Sequence, residues 1–465
     1  MSADETDARS AHAAGVQRLL ASYRAIPPDA TVRLAKPTSN LFRARAETKV
    51  KGLDVSGLTG VIAVDPDART ADVAGMCTYE DLVAATLPYG LSPLVVPQLK
   101  TITLGGAVTG LGIESASFRN GLPHESVLEM DILTGAGEVL TASPAQHEDL
   151  YRAFPNSYGT LGYSVRLKIE LESVKPFVAL RHLRFHTVED LVASMDRIIE
   201  TRGHDGTPVD YLDGVVFSAD ESYLTLGTQT STPGPVSDYT GRQIYYRSIQ
   251  HSGDSAEKHD RLTIHDYLWR WDTDWFWCSR AFGAQHPRIR RLWPRRYRRS
   301  SFYWKLIAYD RRFDIADRIE ERNGRPPRER VVQDIEVPIA RTAEFLHWFL
   351  DNVPIEPIWL CPLRLRGDQT SGDTWPLYPI QPNHTYVNVG FWSSVPIGPE
   401  EGHTNRLIER KVSELDGHKS LYSDAYYSRE EFDDLYGGEA YKTVKKSYDP
   451  DSRLLDLYAK AVQRR

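Results

Sequence analysis

Apolar residues in the first 175 positions fall into short runs broken by turn residues, and few stretches show helical spacing. Val16, Leu19, Leu20 and Tyr23 repeat at that spacing, so residues 15–25 predict a short amphipathic helix, which Pro27 and Pro28 end. Thr31 to Leu34 predicts a strand followed by a polar turn that offers Lys36, Thr38, Ser39 and Asn40 to an anion. Residues 58–73 read as a hairpin around Asp65-Pro-Asp-Ala-Arg-Thr70. Thr78 caps a helix with Glu80 and Asp81 in its first turn; it ends near Leu87, Gly90 takes the C′ position, and a strand follows at 94–96. Residues 127–133 form an apolar strand that Gly135-Ala-Gly137 turns back through 138–141, then a short helix at 149–154 precedes a strand at 164–171. The pattern is α+β.

Glycine gathers in one place. Gly105, Gly106, Gly110 and Gly112 lie within eight residues, among Thr103, Thr109, Ser115 and Ser117. Backbone without side chains turns with positive φ and lets a ligand approach its amides, which suits a phosphate. A Walker loop is excluded, because no Lys follows the last glycine, and a Rossmann fingerprint fails because Ile113, Glu114 and Ser115 follow Gly110-Leu-Gly112. On their own these glycines read better as a ligand-free turn in a β-rich domain. A second loop, Asn156 to Gly162 with Gly159, sits beyond the next strand pair, and two such loops favour a large bound nucleotide.

The chain has 465 residues, which points to two or three domains rather than one core. A net charge of -7 argues against nucleic-acid binding, which needs clustered Lys and Arg. Cys77, Cys278 and Cys361 are far apart, so neither a metal site nor a disulfide framework is expected, and a reducing cytoplasm fits. Residues 1–14 are polar and no apolar run reaches the roughly 18 residues of a membrane span, so the expectation is a cytoplasmic protein, soluble or peripheral at the inner face of the plasma membrane.

In order along residues 58–172 stand D-P-x-x-R-T, a helix and Gly-Leu before V-V-P, then T-L-G-G, D-I-L-T-G-A-G-E and G-T-L-G. This series resembles the PCMH-type FAD-binding domain of the vanillyl-alcohol oxidase superfamily. The resemblance implies a two-subdomain FAD-binding domain at 31–175 after a helical extension at 1–30. An α+β substrate or cap domain follows at 176–465, with its C-terminal segment returning to the flavin. It also implies that Lys36, Thr38, Ser39 and Asn40, with Pro97, Gln98 and the stretch from Thr103 through Gly105, Gly106, Thr109, Gly110, Gly112, Ile113, Ser115 and Ser117 to Gly121, hold the cofactor, while Gly159 and Gly162 pass its adenine side. The chain departs from the family where Lys36-Pro37 replaces the usual Gly-Gly. No His or Cys stands in that turn, and Ile113 occupies a second frequent His position, so the FAD is expected to be noncovalent.

Glu114-Ser115, Val331-Val-Gln-Asp334, Pro357-Ile-Trp-Leu-Cys-Pro362 and Tyr426-Tyr-Ser-Arg-Glu-Glu-Phe432 extend the likeness to the delta-24 sterol reductase branch. Closer still are soluble bacterial relatives that reduce a 10-methylene group on a phospholipid acyl chain to a 10-methyl branch. The implied activity is reduction of an isolated carbon–carbon double bond with NADPH or NADH as donor, a lipid methyltransferase supplying the substrate. A delta-24 sterol side chain is the second substrate, and oxidation of an alcohol or sugar is a different reading within the superfamily.

Residues 265–299 hold Trp269, Trp271, Trp275, Trp277 and Trp293, with seven arginines between Arg288 and Arg299. Such a stretch is either a face for an anionic membrane or a core of rings beside a solvated charge run. An isolated alkene needs a well-placed acid. Candidates are Tyr386 and Asn388, which share one face of a strand at 385–391, and Glu114; His124 and Glu125 read equally as a solvated pair. Tyr426, Arg429 and Glu430 read better as a pin for the C-terminal helix than as a cover over the cofactor.

Overall fold

The computed structural model describes residues 3–36, 42–43, 51–241, 243–251, 257–275, 277–278, 283–313, 318, 322, 324, 326–366 and 375–464. The first apolar stripe lies on a single helix, α1 (Ala3–Arg24), longer than its spacing predicts. Leu19 is buried with Val165 and Leu454, and Val16, Leu20 and Tyr23 pack around it. The preceding turns are polar and show no stripe; a Glu5–Arg9 pair at 2.8 Å, one turn apart, supports them. The strand expected from Thr31 is absent, since Leu34 makes only an isolated bridge to Leu53.

The hairpin forms as read, from β1 (Val61–Asp65) and β2 (Thr70–Ala74). Thr78 Oγ1 then accepts from the Asp81 amide at 3.2 Å and starts α2 (Tyr79–Thr86). The next strand, β3 (Leu91–Pro93), lies three residues before the apolar run that suggested it. Pro93 has no N–H to continue the pairing, and the Leu94 carbonyl instead accepts from the Asn120 side-chain Nδ2 at 2.7 Å. After α3 (Leu104–Thr109) and α4 (Ser117–Asn120) come β4 (Val127–Leu133), β5 (Val139–Ala142), α5 (Glu148–Ala153) and β6 (Tyr163–Ser173). These strands form one antiparallel sheet in the order β1-β2-β6-β4-β5, with β3 also on β6.

The second sheet begins with β7 (Phe177–Phe185), followed by α6 (Val188–Thr201), a minor hairpin of β8 (Gly203–His204) and β9 (Thr207–Pro208), β10 (Tyr211–Ser218) and β11 (Glu221–Thr230). Next come α7 (Tyr245–Ile249), β12 (Glu257–Thr263), α8 (Ile264–Leu268), α9 (Pro287–Leu292) and α10 (Ser300–Phe313). β13 (Arg328–Pro338), α11 (Ile339–Asn352), β14 (Ile358–Leu363), β15 (Tyr386–Pro396), α12 (His403–Glu414) and β16 (His418–Lys419) complete it. Its order is β12-β7-β11-β10-β14-β15-β13-β16, antiparallel throughout.

Alternation divides the second sheet's work. Val331, Ile335, Leu360, Val387 and Val389 pack with Ile198, Phe345, Phe349 and Ile408 of the covering helices. Their neighbours one residue along, among them Asp334, Trp359 and Gly390, face the first sheet. One row of the ladder runs Val215, Trp359, Gly390, Asp334 across four strands.

The tail, with α13 (Arg429–Leu435), α14 (Gly438–Tyr448) and α15 (Leu457–Ala461), returns to the first sheet. Tyr448 donates to Asp149 at 2.8 Å, Lys445 to the Thr160 carbonyl at 2.8 Å and Lys460 to the Tyr158 carbonyl at 2.6 Å. Arg429 pairs with Asp433 at 3.0 Å and Asp456 at 3.1 Å, and Glu430 is exposed, so this stretch pins the tail.

Trp269, Trp271, Trp275 and Trp277 are all buried, which removes them from any membrane face. They stack inside the protein, Trp271 on Trp277 with centroids 4.6 Å apart. The arginines divide. Arg290 is buried against Asp274 at 3.0 Å, Arg298 donates to backbone carbonyls, and Arg295 and Arg299 pair with Asp238 and Glu80. Arg288, Arg291 and Arg296 stay exposed beside Leu292, which is 83% exposed. Among the described residues no helix is long and apolar enough to cross a membrane.

Candidate active site

A cavity of about 510 Å³ opens between the two sheets. One end is polar and glycine-rich, with Lys36, Thr103, Gly106, Thr109, Gly110 and Gly159. The other is a wall of rings: Phe42, Trp271, Trp275, Trp277, Trp359 and Trp392.

The polar end is built around Thr103. Its Oγ1 accepts from the Gly106 amide at 3.2 Å, which starts α3, and from Lys36 Nζ at 3.0 Å. The glycine cluster expected as a positive-φ loop is therefore partly a helix, and none of Gly105, Gly106, Gly110 and Gly112 has positive φ. Gly105 serves close packing instead, because a Cβ there would lie 2.5 Å from the Gly75 carbonyl oxygen; it supports α3 from behind and does not line the cavity. Left-handed backbone occurs in the second loop, at Asn156, Tyr158 and Gly159.

The other residues expected at the cofactor divide similarly. Pro97, Gln98, Gly112 and Ile113 line the cavity. Gly121 and Gly162 do not; they turn the chain with φ of 67° and 147° against Glu125 and Ile132. Ser115 and Ser117 are buried behind the wall, Ser115 donating to Glu114 at 2.6 Å and Ser117 Oγ accepting from the Glu114 amide at 3.1 Å. Thr38, Ser39 and Asn40 lie outside the described residues.

None of the three residues expected to be catalytic reaches the cavity. Glu114 sits in a closed cluster, where Arg270 Nη2 donates to both its oxygens at 3.1 Å and to Asp213 at 2.9 Å. Burial raises the Glu114 pKa and Arg270 opposes that rise. The Trp271 and Trp359 indoles both point to Asp213 Oδ2 at 3.4 Å, so the cluster holds two rings of the wall. Tyr386 accepts from the Gln381 amide at 3.3 Å, away from the cavity. Asn388 is fully buried and donates to Asp334 at 3.2 Å. Gly390 and Trp392, the next residues on that strand face, line the cavity instead. His124 and Glu125 are structural, His124 buried edge-on to Trp375 at 4.5 Å and Glu125 accepting from the Leu122 amide at 2.8 Å.

Asp334 is the residue the sequence reading missed. Among the described residues it is the only carboxyl that lines the cavity. It lies deep in the protein yet opens to the cleft, with Asn388 and Tyr422 as hydrogen-bond partners. Burial pushes it up to about 6, and those two bonds moderate the rise. Tyr422 lies beside it, and burial next to that carboxyl raises the phenol.

The FAD binding domain family model matches residues 29–143, which include Lys36 and the Thr103–Gly112 end of the cavity. Delta(24)-sterol reductase of Mus musculus is 25% identical over 422 residues, covering 87% of this chain and 76% of the relative. The Delta(24)-sterol reductase of Arabidopsis thaliana is 24% identical over 446 residues, 89% of this chain and 77% of the relative. Cytokinin dehydrogenase 4 of Arabidopsis thaliana is 26% identical over 216 residues, 46% of this chain and 39% of the relative. The chain thus combines a PCMH-type FAD-binding fold with an α+β second part, and it is an FAD-dependent oxidoreductase.

The residues fit the cofactor. Lys36 supplies a cation and Thr103 a hydroxyl in the glycine-lined part, and Gln98 Nε2 is a buried donor that has no partner among the described residues. Side-chain-free Gly106, Gly110 and Gly159 leave the backbone open to a pyrophosphate.

Proposed function

We propose that the protein reduces an isolated carbon–carbon double bond in a lipid, with NADPH or NADH as electron donor. The observation that carries this reading is a cavity whose lining joins a nucleotide-suited, glycine-rich part to a set of rings that bears, among the described residues, a single carboxyl. FAD, held without a covalent bond by Lys36, Thr103 and the glycine-lined backbone, supplies hydride chemistry to that space.

The protein's own residues do the rest. The rings of Trp275, Trp359 and Trp392 exclude water and match an aliphatic substrate. Their π faces attract cationic character that develops on an alkene carbon. Neither a sugar nor a small alcohol would find enough hydrogen-bond partners at that end.

Two substrates share this chemistry, because each alkene has one carbon bearing two carbon substituents and no carbonyl to polarise it. The delta-24 bond of a sterol side chain is favoured by the names of the relatives. A 10-methylene phospholipid acyl chain is the other, and it requires an enzyme that adds a one-carbon unit to an unsaturated lipid upstream. Anaerobic stopped-flow absorbance separates them. NADPH should bleach the flavin, and only the true lipid should restore its colour; recovery with oxygen alone would indicate an oxidase.

A cytoplasmic protein acting on such lipids must meet a membrane, and Arg288, Arg291 and Arg296 beside exposed Leu292 are the groups for that contact. Each arginine near an anionic surface contributes about 1 kcal/mol. Changing all three to Glu should weaken flotation with phosphatidylserine vesicles by roughly 10²-fold or more. Unchanged flotation would place the contact elsewhere.

A further inference from the structure

Reduction of an isolated alkene adds a hydride to one carbon and a proton to the other, and the proton needs a source inside a dry pocket. Lys36, Thr103 and the glycines form a polar part of the lining, and Arg33, Arg43, Gln98, Gln333 and Lys460 add cations and amides among the rings, but no second carboxyl joins Asp334 among the described lining residues. The carboxyl stands in a ladder row with Gly390 and Trp359, and Gly390 is what gives it room: a Cβ there would lie 2.5 Å from Asp334 Oδ1 and 3.2 Å from the Trp359 ring. Asn388 Nδ2 holds the same oxygen from the strand beside it at 3.2 Å. Tyr422 donates to the carboxyl from the segment after β16.

Resting on the reading of the protein as a lipid ene-reductase, we propose that Asp334 is the acid that protonates the substrate alkene. The Asp334 O–H bond breaks and its electron pair stays on the carboxylate. The proton and the π pair form a new C–H bond at the less substituted carbon. A hydride originating in NAD(P)H forms the second C–H bond at the carbon bearing two substituents, where positive charge is best carried. Tyr422 is the adjacent hydroxyl through which the carboxylate regains a proton.

The surroundings suit an acid more than a fixed carboxylate. The titratable and charged groups around Asp334 are Glu336 two residues along β13, Cys361 on β14, Tyr378, Tyr422 and Tyr158 from neighbouring segments, and Arg43, which lies over the Tyr158 ring at 5.2 Å and donates to the Leu421 carbonyl. Glu336 is itself buried with a raised pKa, and Arg43, the one cation among these groups, is engaged with the Leu421 carbonyl and the Tyr158 ring. A carboxyl raised to about 6 is protonated at a higher pH than one in water. Its capacity as a donor is full below that value and falls about tenfold per pH unit above it.

The test uses the full-length holoenzyme, a delta-24 sterol and a 10-methylene phospholipid. In Asp334→Asn, NADPH should still bleach the flavin, but reoxidation by the lipid that serves the wild type should slow by about 10²- to 10⁴-fold. Infrared spectra of the cofactor-free protein should show a protonated carboxyl band that titrates near 6 and is missing from Asp334→Asn. Tyr422→Phe removes a bond that favours the ionised form, so band and rate profile should both move to higher pH. Asp334→Asn reoxidised at the wild-type rate, or a wild-type-minus-variant infrared difference spectrum with no carboxyl band titrating near 6, overturns the assignment of the acid alone. A wild type that neither lipid reoxidises overturns the ene-reductase reading and the step with it. Where Asp334→Asn does not take up FAD, an unmoved Tyr422→Phe profile overturns the assignment.

Discussion

Replacing Arg270 with Met is expected to cost the fold about 3–5 kcal/mol, read as a large drop in the urea midpoint of unfolding. Arg270 is fully buried and its one guanidinium answers two carboxylates, Glu114 and Asp213, together with the Ser115 hydroxyl. Without it, two buried acids face each other with no cation. Such a pair cannot stay ionised cheaply, so the loss arises more from the acids left behind than from the contact removed. The sign with pH follows. Glu114 is already raised by burial and held down by Arg270, so the variant should raise it further. A raised carboxyl stabilises the fold while protonated, so the deficit should shrink as pH falls and grow as it rises. Adding Glu114→Gln to Arg270→Met should restore part of the stability at pH 8 and little at pH 5. An equal deficit at both pH values would mean that packing, not charge, holds this cluster. The same cluster fixes Trp271 and Trp359 through Asp213, so the variant should also bind the lipid substrate more weakly.

That cluster shows where reading the chain in order runs out. Local signals were legible: the hairpin at 61–74, the Thr78 cap and the strand at 127–133 all rest on residues a few positions apart. The offset of β3 came from Pro93, whose missing N–H outweighed the more apolar run after it. The glycine stretch differs in conformation from the expected loop, because Thr103 caps a helix there. Glu114 looked like a group facing a ligand because nothing nearby in sequence shows its partners, which arrive from positions 213 and 270.

The aromatic wall was hidden for the same reason. Asp334, Trp359 and residues 390–392 meet through the register of the second sheet, and Trp271, Trp275, Trp277 and Cys278 come to them from a distant stretch of the chain. Val332 and Asp334 alternate with the buried Val331 and Ile335, and it is Val332 and Asp334 that look into the cleft. Tyr386 and Asn388 share a face of β15 with Gly390 and Trp392, and the pattern offered nothing to favour those neighbours over them. The tryptophans were compatible with membrane or core, and burial of all four between 269 and 277 settles them as core.

Changing Gly106 to Asp should remove the cofactor. The glycine lines the cavity, and a Cβ there would already lie 2.8 Å from Thr103 Oγ1 and 3.8 Å from Lys36 Nζ. An aspartate would therefore compete for the lysine and place a negative charge beside the pyrophosphate of a bound FAD. Like charges at such close range cost several kcal/mol, so FAD affinity should fall by roughly 10²- to 10³-fold and the purified protein should be nearly colourless. Gly106→Ala separates the two causes, since it brings the crowding without the charge. The threonine hydroxyl is the far end of a small side chain that must shift by a few tenths of an ångström, which costs little beside charge repulsion. The alanine variant should keep most of its flavin, and a rise in salt should recover part of the aspartate variant's loss. Equal loss in both variants would mean that shape governs this end of the site. Full retention in both would move the cofactor away from Thr103 and Lys36, and the ring-lined wall would then need a different ligand opposite it.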